Sequence, residues 1–473
     1  MATANGGARR ARGGGLGPRF LGLWCSTALS DTGNGIFLVG ATLLAIHALE
    51  SPALVGVLLT LATIPWLVAA IPAGIVVDRM DGHRVIQIAN LARAGTMLAV
   101  GVISAGGHVS AVILVVAVFI SGVLQTFVDG AAEALVPELV DRDRLSDANG
   151  ALSVSTRVFY QFLGPPIAGL AYTLWPSASS LLSGALCGIS TLCIAAVRQP
   201  WPRRHGGRGR VDFRRGLRIV GRSQILKAAI AISCLTSVAN GIYLTVFAVY
   251  ANTGLGLTPT TYGVLTGLVG VGAGAGAYLT SRAERLFGEV VTMRLTRVGW
   301  ALLFLSPLLR SPWLIAPVMV AGSAFGAMWA VQAMNLRQRA TSPGQRAQVL
   351  GVFRALAYGA TPLGSLAAAT FQNTVSSQIL LGSAAALTVA TIALVPTRES
   401  LSAHRRGAGR RGARRARRGR RRAGRGPPAP PPPTPTHPPR PAPPPAPPRP
   451  RAAEGIASGQ APETATTPVM VPT

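Results

Sequence analysis

The chain has 473 residues, 49% of them hydrophobic and only 13% charged, with a formal net charge of +29. A soluble globular domain carries about a quarter charged residues, so this composition excludes one unless lipid covers the apolar surface. Lys227 is the only lysine, and the arginines gather in short bends and one tail, which points to an anionic membrane surface rather than a nucleic-acid groove.

Residues 1–18 are small, Gly-rich and basic, and are expected to form a disordered tail. The apolar run from Phe20 to His47 is too long for the core of a signal peptide and is expected to be retained as a first membrane span. A helix needs about 20 apolar residues to cross the hydrocarbon. Twelve segments meet that need: 20–47, 52–77, 86–105, 110–134, 150–174, 178–197, 227–251, 260–280, 291–309, 312–336, 348–371 and 376–395. The third and fifth are weakened by Arg93 and Arg157. The expected fold is therefore all-α and polytopic, with twelve transmembrane helices in two six-helix bundles.

Bends after even-numbered spans carry Arg79, Arg84, Arg142, Arg144, the run 198–222, Arg282, Arg285, Arg337, Arg339 and Arg346. Bends after odd-numbered spans carry one arginine, Arg310. The positive-inside rule then places both termini in the cytoplasm of a cell whose plasma membrane the chain crosses many times. Trp175 and Trp313 fall at the opposite interface, where amphipathic rings prefer to sit.

Residues 19–198 form the expected N-terminal bundle and 227–398 the C-terminal one. Between them, 199–226 is a cytoplasmic linker whose "DFRRGLRIVGRSQILK" has helical spacing suited to lying on anionic headgroups. Residues 399–473 hold twelve arginines between 405 and 425 and then a proline-rich run. This tail is expected to be disordered and drawn to anionic lipid, with no nucleic-acid partner. The four cysteines lie inside apolar runs, with no metal spacing and no disulfide framework.

Charges are rare inside the spans, so each demands a cavity or a partner. Asp31 lies about halfway along span one in "SDTGNG" and is the first candidate for proton coupling. A carboxylate taken out of water can exchange protons near neutral pH. The same stretch also reads as a kink, with Asp31 bonded to nearby backbone. Asp129 on span four is a second titrating candidate or the partner of a cytoplasmic arginine. Asn34, Gln125, Gln161, Asn240, Tyr243, Trp329, Gln332 and Asn335 are candidates to line a central cavity or to act as polar glue between helices. In "GLVGVGAGAGA" (267–277) the glycines serve helix packing, since no strand precedes them. No phosphate-binding Gly-x-x-x-x-Gly-Lys motif occurs, so the energy source is expected to be a proton gradient, with no cofactor and no metal. No nucleophile–base pair lies in the spans, and the chain is not expected to be an enzyme.

Three motifs carry a resemblance. "GIVVDRMDGHR" after span two contains Gly74-x-x-x-Asp78-Arg79 followed by Arg84. "ALVPELVDRDRLSDANGALS" (134–153) follows span four. "GPPIAG" places Gly164, Pro165 and Gly169 in span five, and span eleven has a weak copy in "TPLGSL". Together these resemble the major facilitator superfamily, and within it the drug-exporter branch that includes macrolide and enterobactin exporters. The resemblance covers residues 19–397. It implies two six-span halves related by an axis along the membrane normal, working by alternating access, usually as a monomer. It further implies a cytoplasmic latch in which Asp78 caps span eleven while Arg79 and Arg84 meet an acid on span four, Glu133 or Asp129. The alternative for these loop charges is that they are solvated and fix topology only. The Gly164–Gly169 motif implies a bend that seals leakage and favours export. The expected activity is proton-coupled export of a small, partly apolar molecule. The alternatives are import of a polar metabolite, or a non-transporting sensor or scaffold that acts through the basic tail.

Overall fold

A computed structural model describes residues 16–69, 76, 80–141, 144–197, 213–341 and 345–397. The described residues all fall within one compact unit. Among the described residues all regular structure is helical, as lipid requires of a chain that must satisfy its own backbone hydrogen bonds.

Each predicted span includes described helix. Among the described residues nine helical runs are long and apolar enough to cross a membrane: Pro18–His47, Gly82–Ala105, Ala111–Leu139, Ala178–Ala195, Gln224–Gly254, Pro259–Phe287, Pro312–Ala340, Gln348–Phe371 and Ser377–Leu394. They occupy predicted spans one, three, four, six, seven, eight, ten, eleven and twelve. The second is described as Pro52–Thr63 and Pro65–Val68 before it passes outside the described residues. The ninth is a shorter helix, Glu289–Leu305, extended by a 3-10 turn over Ser306–Leu309. The fifth is built from three pieces: α-helix Leu145–Val154, π-helix Ser155–Leu163 and α-helix Gly164–Leu174.

The sequence starts these helices in two ways. Proline stands in the first turn of spans one, two, eight and ten, where its missing N–H would be unpaired anyway. Ser110, Ser223, Thr258 and Ser376 cap spans four, seven, eight and twelve, each accepting a hydrogen bond from the backbone N–H three residues on. Leu91, Val102, Val112, Leu174 and Leu363 face outward and exposed, the pattern of a bundle whose solvent is lipid. Trp175 and Trp313 are likewise exposed, at the arginine-poor end.

Each half repeats one device. In span five the π-helix runs up to Gly164-Pro165. In span eleven a second π-helix, Arg354–Tyr358, precedes Thr361-Pro362. A proline cannot donate the i→i−4 bond, and both helices meet that loss with a wide turn before it. Small residues then bring the neighbours close. A Cβ on Gly164 would lie 2.8 Å from Gly35 Cα on span one, and a Cβ on Gly241 of span seven would run into the Thr361 carbonyl.

The two halves meet through spans five and eight and through spans two and eleven. A side chain on Gly169 would collide with the Pro259 carbonyl, and one on Gly263 with the Pro165 carbonyl. Thr60 Oγ1 donates to the Pro362 carbonyl at 3.4 Å. At the arginine-poor end His47 Nε2 and Asn252 Oδ1 are 3.2 Å apart and the Thr173 and Thr260 hydroxyls 3.0 Å apart, so the halves are tied together there. Farther from that end, spans five and eight separate around a groove lined by Arg157, Val158, Phe162, Gly270, Val271 and Gly274.

The linker stretch forms a helix, Phe213–Gly221. Its apolar face does not simply lie on lipid. Gly216 and Val220 are buried, and Gly216 sits against Gln348 and Val352 at the start of span eleven. Arg214, Arg215 and Arg218 point outward.

Candidate functional site

The N-terminal half contains a buried polar cluster centred on Arg93. This arginine is wholly buried in mid-span three. Its Nη1 donates to Ser30 Oγ of span one at 2.6 Å and to Asn90 Oδ1 at 3.3 Å, and its Nε donates to Ser121 Oγ of span four at 3.4 Å. Ser30 also donates to Asn90, which in turn donates to Ser190 of span six, and Ser190 bonds Ser26. Five hydroxyl and amide side chains thus hold one guanidinium among four helices. A charge in hydrocarbon is tolerated only under such conditions.

Asp31 is buried beside this cluster, with Oδ2 accepting from Ser155 at 3.1 Å and Thr156 at 3.3 Å. Both hydroxyls come from the start of the π-helix in span five. Span one is continuous helix from Pro18 to His47, and Asp31 accepts from span-five hydroxyls. Its glycines serve close packing: a Cβ on Gly33 would lie 2.9 Å from the Ser183 carbonyl. Asp129 accepts from Gln125 Nε2 at 2.8 Å. Asp31, Asp129 and Arg93 lie within electrostatic reach of one another, and Tyr160 stands in the same field. The hydrogen-bond partner of Asp129 is thus Gln125 of its own helix, and no described loop arginine lies within ion-pair distance of it. With both carboxylates ionised the triad carries one net negative charge, and with one proton added it is neutral.

The expected latch is distributed differently. Gly74, Asp78 and Arg79 lie outside the described residues. Arg84 is 3.7 Å from Asp81, three residues away, with both partly or largely exposed. Glu133 instead bridges the halves, pairing with Arg354 of span eleven at 2.9 Å and 3.3 Å. Both partners are exposed, so the pair contributes about 0–1 kcal/mol.

The cavity candidates separate into several environments. Gln125 belongs to the Asp129 site. Tyr243 is sealed in an aromatic stack, 5.4 Å from Phe247 and 5.3 Å from Phe304. Gln332 donates to Glu284 of span eight at 3.3 Å. Asn34, Asn240 and Asn335 are half-buried and Gln161 is exposed. Trp329 is buried, with its Nε1 donating to Ser233 at 3.4 Å and its ring 4.1 Å from the guanidinium carbon of Arg297.

Arg93 is a residue that charge counting misjudged, and Arg297 is one that it passed over. Arg297 is wholly buried in span nine, between Trp329 and Trp300, whose centroid is 5.4 Å away. A desolvated cation over an indole gains about 2 kcal/mol or more. A sequence signal for both arginines existed. Leu91-Ala92-Arg93-Ala94-Gly95 of span three and Leu295-Thr296-Arg297-Val298-Gly299 of span nine share Leu-x-Arg-x-Gly at the same ordinal place in each half. Spans one and seven share Asn34-Gly35-Ile36-Phe37-Leu38 and Asn240-Gly241-Ile242-Tyr243-Leu244.

Two apolar helical halves, related by repeated motifs and joined by a linker, define a membrane transporter of the major facilitator type. Residues 17–405 match the model of the family described as transmembrane secretion effectors, and the chain belongs to that family. Among curated proteins it is 28% identical over 388 residues to the multidrug efflux pump Tap of Mycolicibacterium fortuitum, covering 74% of this chain and 88% of that one. It is 24% identical over 392 residues to an MFS-type transporter of Sinorhizobium fredii, covering 80% and 95%. Among solved structures, the nucleoside transporter NupG superposes with a TM-score of 0.64 at 14% identity, over 80% of this chain and all of that one. An inward-facing bacterial homologue of the iron transporter ferroportin gives 0.60 at 16% identity, over 80% and 97%. These likenesses are of fold.

Proposed function

We propose that the chain is a twelve-span secondary transporter that exports a small, partly apolar molecule in exchange for protons. Asp31 and Asp129 share the coupling proton, and Arg93 holds them at the charge that makes one proton decisive. The observation that carries this reading is the buried triad of two carboxylates and one guanidinium, which is neutral only when one proton is bound. Moving it between aqueous faces costs least in that neutral form. The efflux relatives supply the direction of transport. The sorting of arginines supports a plasma-membrane protein with both ends in the cytoplasm. On that orientation, the contacts at His47–Asn252 and Thr173–Thr260 close the outer face. The transporter works as a monomer, takes its energy from the proton gradient without a cofactor, and its tail contacts anionic lipid.

The test is efflux of a panel of fluorescent dyes in everted vesicles, with and without a protonophore. The expected result is protonophore-sensitive accumulation that Asp31→Asn abolishes while the protein still reaches the membrane. Accumulation insensitive to the protonophore, or undiminished in both Asp31→Asn and Asp129→Asn, would remove proton coupling from the mechanism.

A further inference from the structure

The internal repeat shows what Arg297 lacks. Asp31 stands three residues before Asn34 in span one, and the matching position before Asn240 in span seven is Ser237. Span four carries Asp129, whereas span ten, Pro312–Ala340, carries no acid. Trp329 of span ten lies on the guanidinium of Arg297. The C-terminal half has therefore kept the arginine and lost both carboxylates.

What remains around Arg297 does not replace them. Its Nε and Nη2 both donate to one hydroxyl, Thr296 Oγ1, at 3.4 and 3.2 Å. Its Nη1 is buried with no hydrogen-bond partner, as is Nη2 of Arg93, but Arg93 donates to three separate side chains where Arg297 has one. Among the described residues no carboxylate reaches it, whereas Arg93 has two within its field. The two tryptophans offer ring faces, which attract a cation but accept no hydrogen bond in the plane of the guanidinium. A planar fork with an open N–H between aromatic rings is complementary to a carboxylate attached to a flat apolar body.

We propose that Arg297 is the anchor for the transported molecule, and that this molecule bears a carboxylate on an aromatic or otherwise flat apolar frame. The substrate's carboxylate takes the place that Asp31 and Asp129 hold around Arg93, and its apolar body takes the place of the Trp329 ring. Trp329 is then a plug that swings aside when the site opens. This assignment rests on the export reading above and narrows its substrate class.

The experiment uses the full chain in nanodiscs of phosphatidylcholine. Binding is measured by calorimetry for benzoate, 2-naphthoate and indole-3-acetate, each against its neutral methyl ester. The expected result is at least tenfold tighter binding of one or more acids than of the matching ester. Arg297→Gln should erase that preference, while Arg297→Lys, which keeps the charge, should retain part of it. Ser237→Asp supplies the missing internal counter-ion, so it should also erase the preference and raise the unliganded Tm. A purely structural arginine would give no acid preference for Ser237→Asp to remove. If Arg297→Gln fails to elute as a monodisperse species, Ser237→Asp decides alone. Equal binding of acid and ester across all three pairs in the unmodified protein, or a preference that survives Ser237→Asp, overturns the proposal. Proton-driven dye efflux that persists in either case leaves the export reading standing without it.

Discussion

The two halves share a scaffold and differ in what they bury. Each places an arginine in mid-membrane on its third helix, within the same Leu-x-Arg-x-Gly pattern. Each packs an Asn-Gly pair of its first helix near a π-to-α junction on its fifth. Around Arg93 the surroundings are hydroxyls and an amide, with Asp31 and Asp129 acting on it only through space, and around Arg297 they are two indoles and one hydroxyl. A third arginine repeats as well: Arg157 and Arg354 each lie eight residues before the proline of their helix. Arg354 has Glu133 opposite it on span four, but span ten carries no acid. The arginines were retained in both copies while the acids remain in one. The division of labour that follows is proton chemistry in the N-terminal half and apolar, cation-bearing surface in the C-terminal half.

The largest expected effect comes from removing the centre of the N-terminal cluster. Arg93→Met leaves the serines and carboxylates without their cation, and breaking a buried charged group of this kind costs about 3–5 kcal/mol. Thermal unfolding in detergent should show it, and a Tm equal to that of the unmodified protein would mean that the cluster does not hold the half together. Next in size, Gly35→Val and Gly241→Val should each destabilise by about 1–3 kcal/mol through overpacking against spans five and eleven. Similar losses in the two variants would establish that the crossings are equivalent; a loss in only one would break the repeat as a structural description. Asp31→Asn should spare the fold, since an amide can still accept from Ser155 and Thr156, yet stop proton-driven efflux. Its counterpart Ser237→Ala should leave coupling unchanged, and loss of coupling there would refute the separation of roles. The smallest effect belongs to Glu133→Gln, at most about 1 kcal/mol for an exposed pair. Its signature is kinetic: efflux rates should change, and the exchanged pair Glu133→Arg with Arg354→Glu should restore them.

Helices were legible in the sequence because lipid imposes a simple rule on composition and length. Every predicted span includes described helix, and the least regular of them, the fifth, is the one that carries Arg157 and two adjacent prolines. The linker helix was legible from its spacing, but its docking on span eleven was not, because Gly216 contributes only the absence of a side chain. Asp31 and Asp129 could be picked out as isolated acids in apolar runs. Their relation to Arg93 could not, since it is assembled from four helices and depends on rotation about each helix axis. Arg93 counted as a blemish in span three, and Arg297 in span nine was passed over, because a single charge lowers hydropathy whether or not serines surround it. Their recurrence at matching places in the two halves was the available sign that they are built in. The latch falls largely outside the described residues, and of its members only Arg84 and Glu133 are seen, beside Asp81 and Arg354.

The π-helices before Pro165 and Pro362 have a mechanical consequence. A π-turn accommodates one residue more than an α-turn, so it behaves as a dislocation within an otherwise regular rod. Sliding that dislocation along by one peptide turns the intervening side chain by about 100° around the helix while the rod's ends stay fixed. Ser155 and Thr156 stand at one edge of such a stretch, holding Asp31. Span five can thus withdraw or offer those two hydroxyls by a local shift of register, and rewire a carboxylate without first tilting a whole helix.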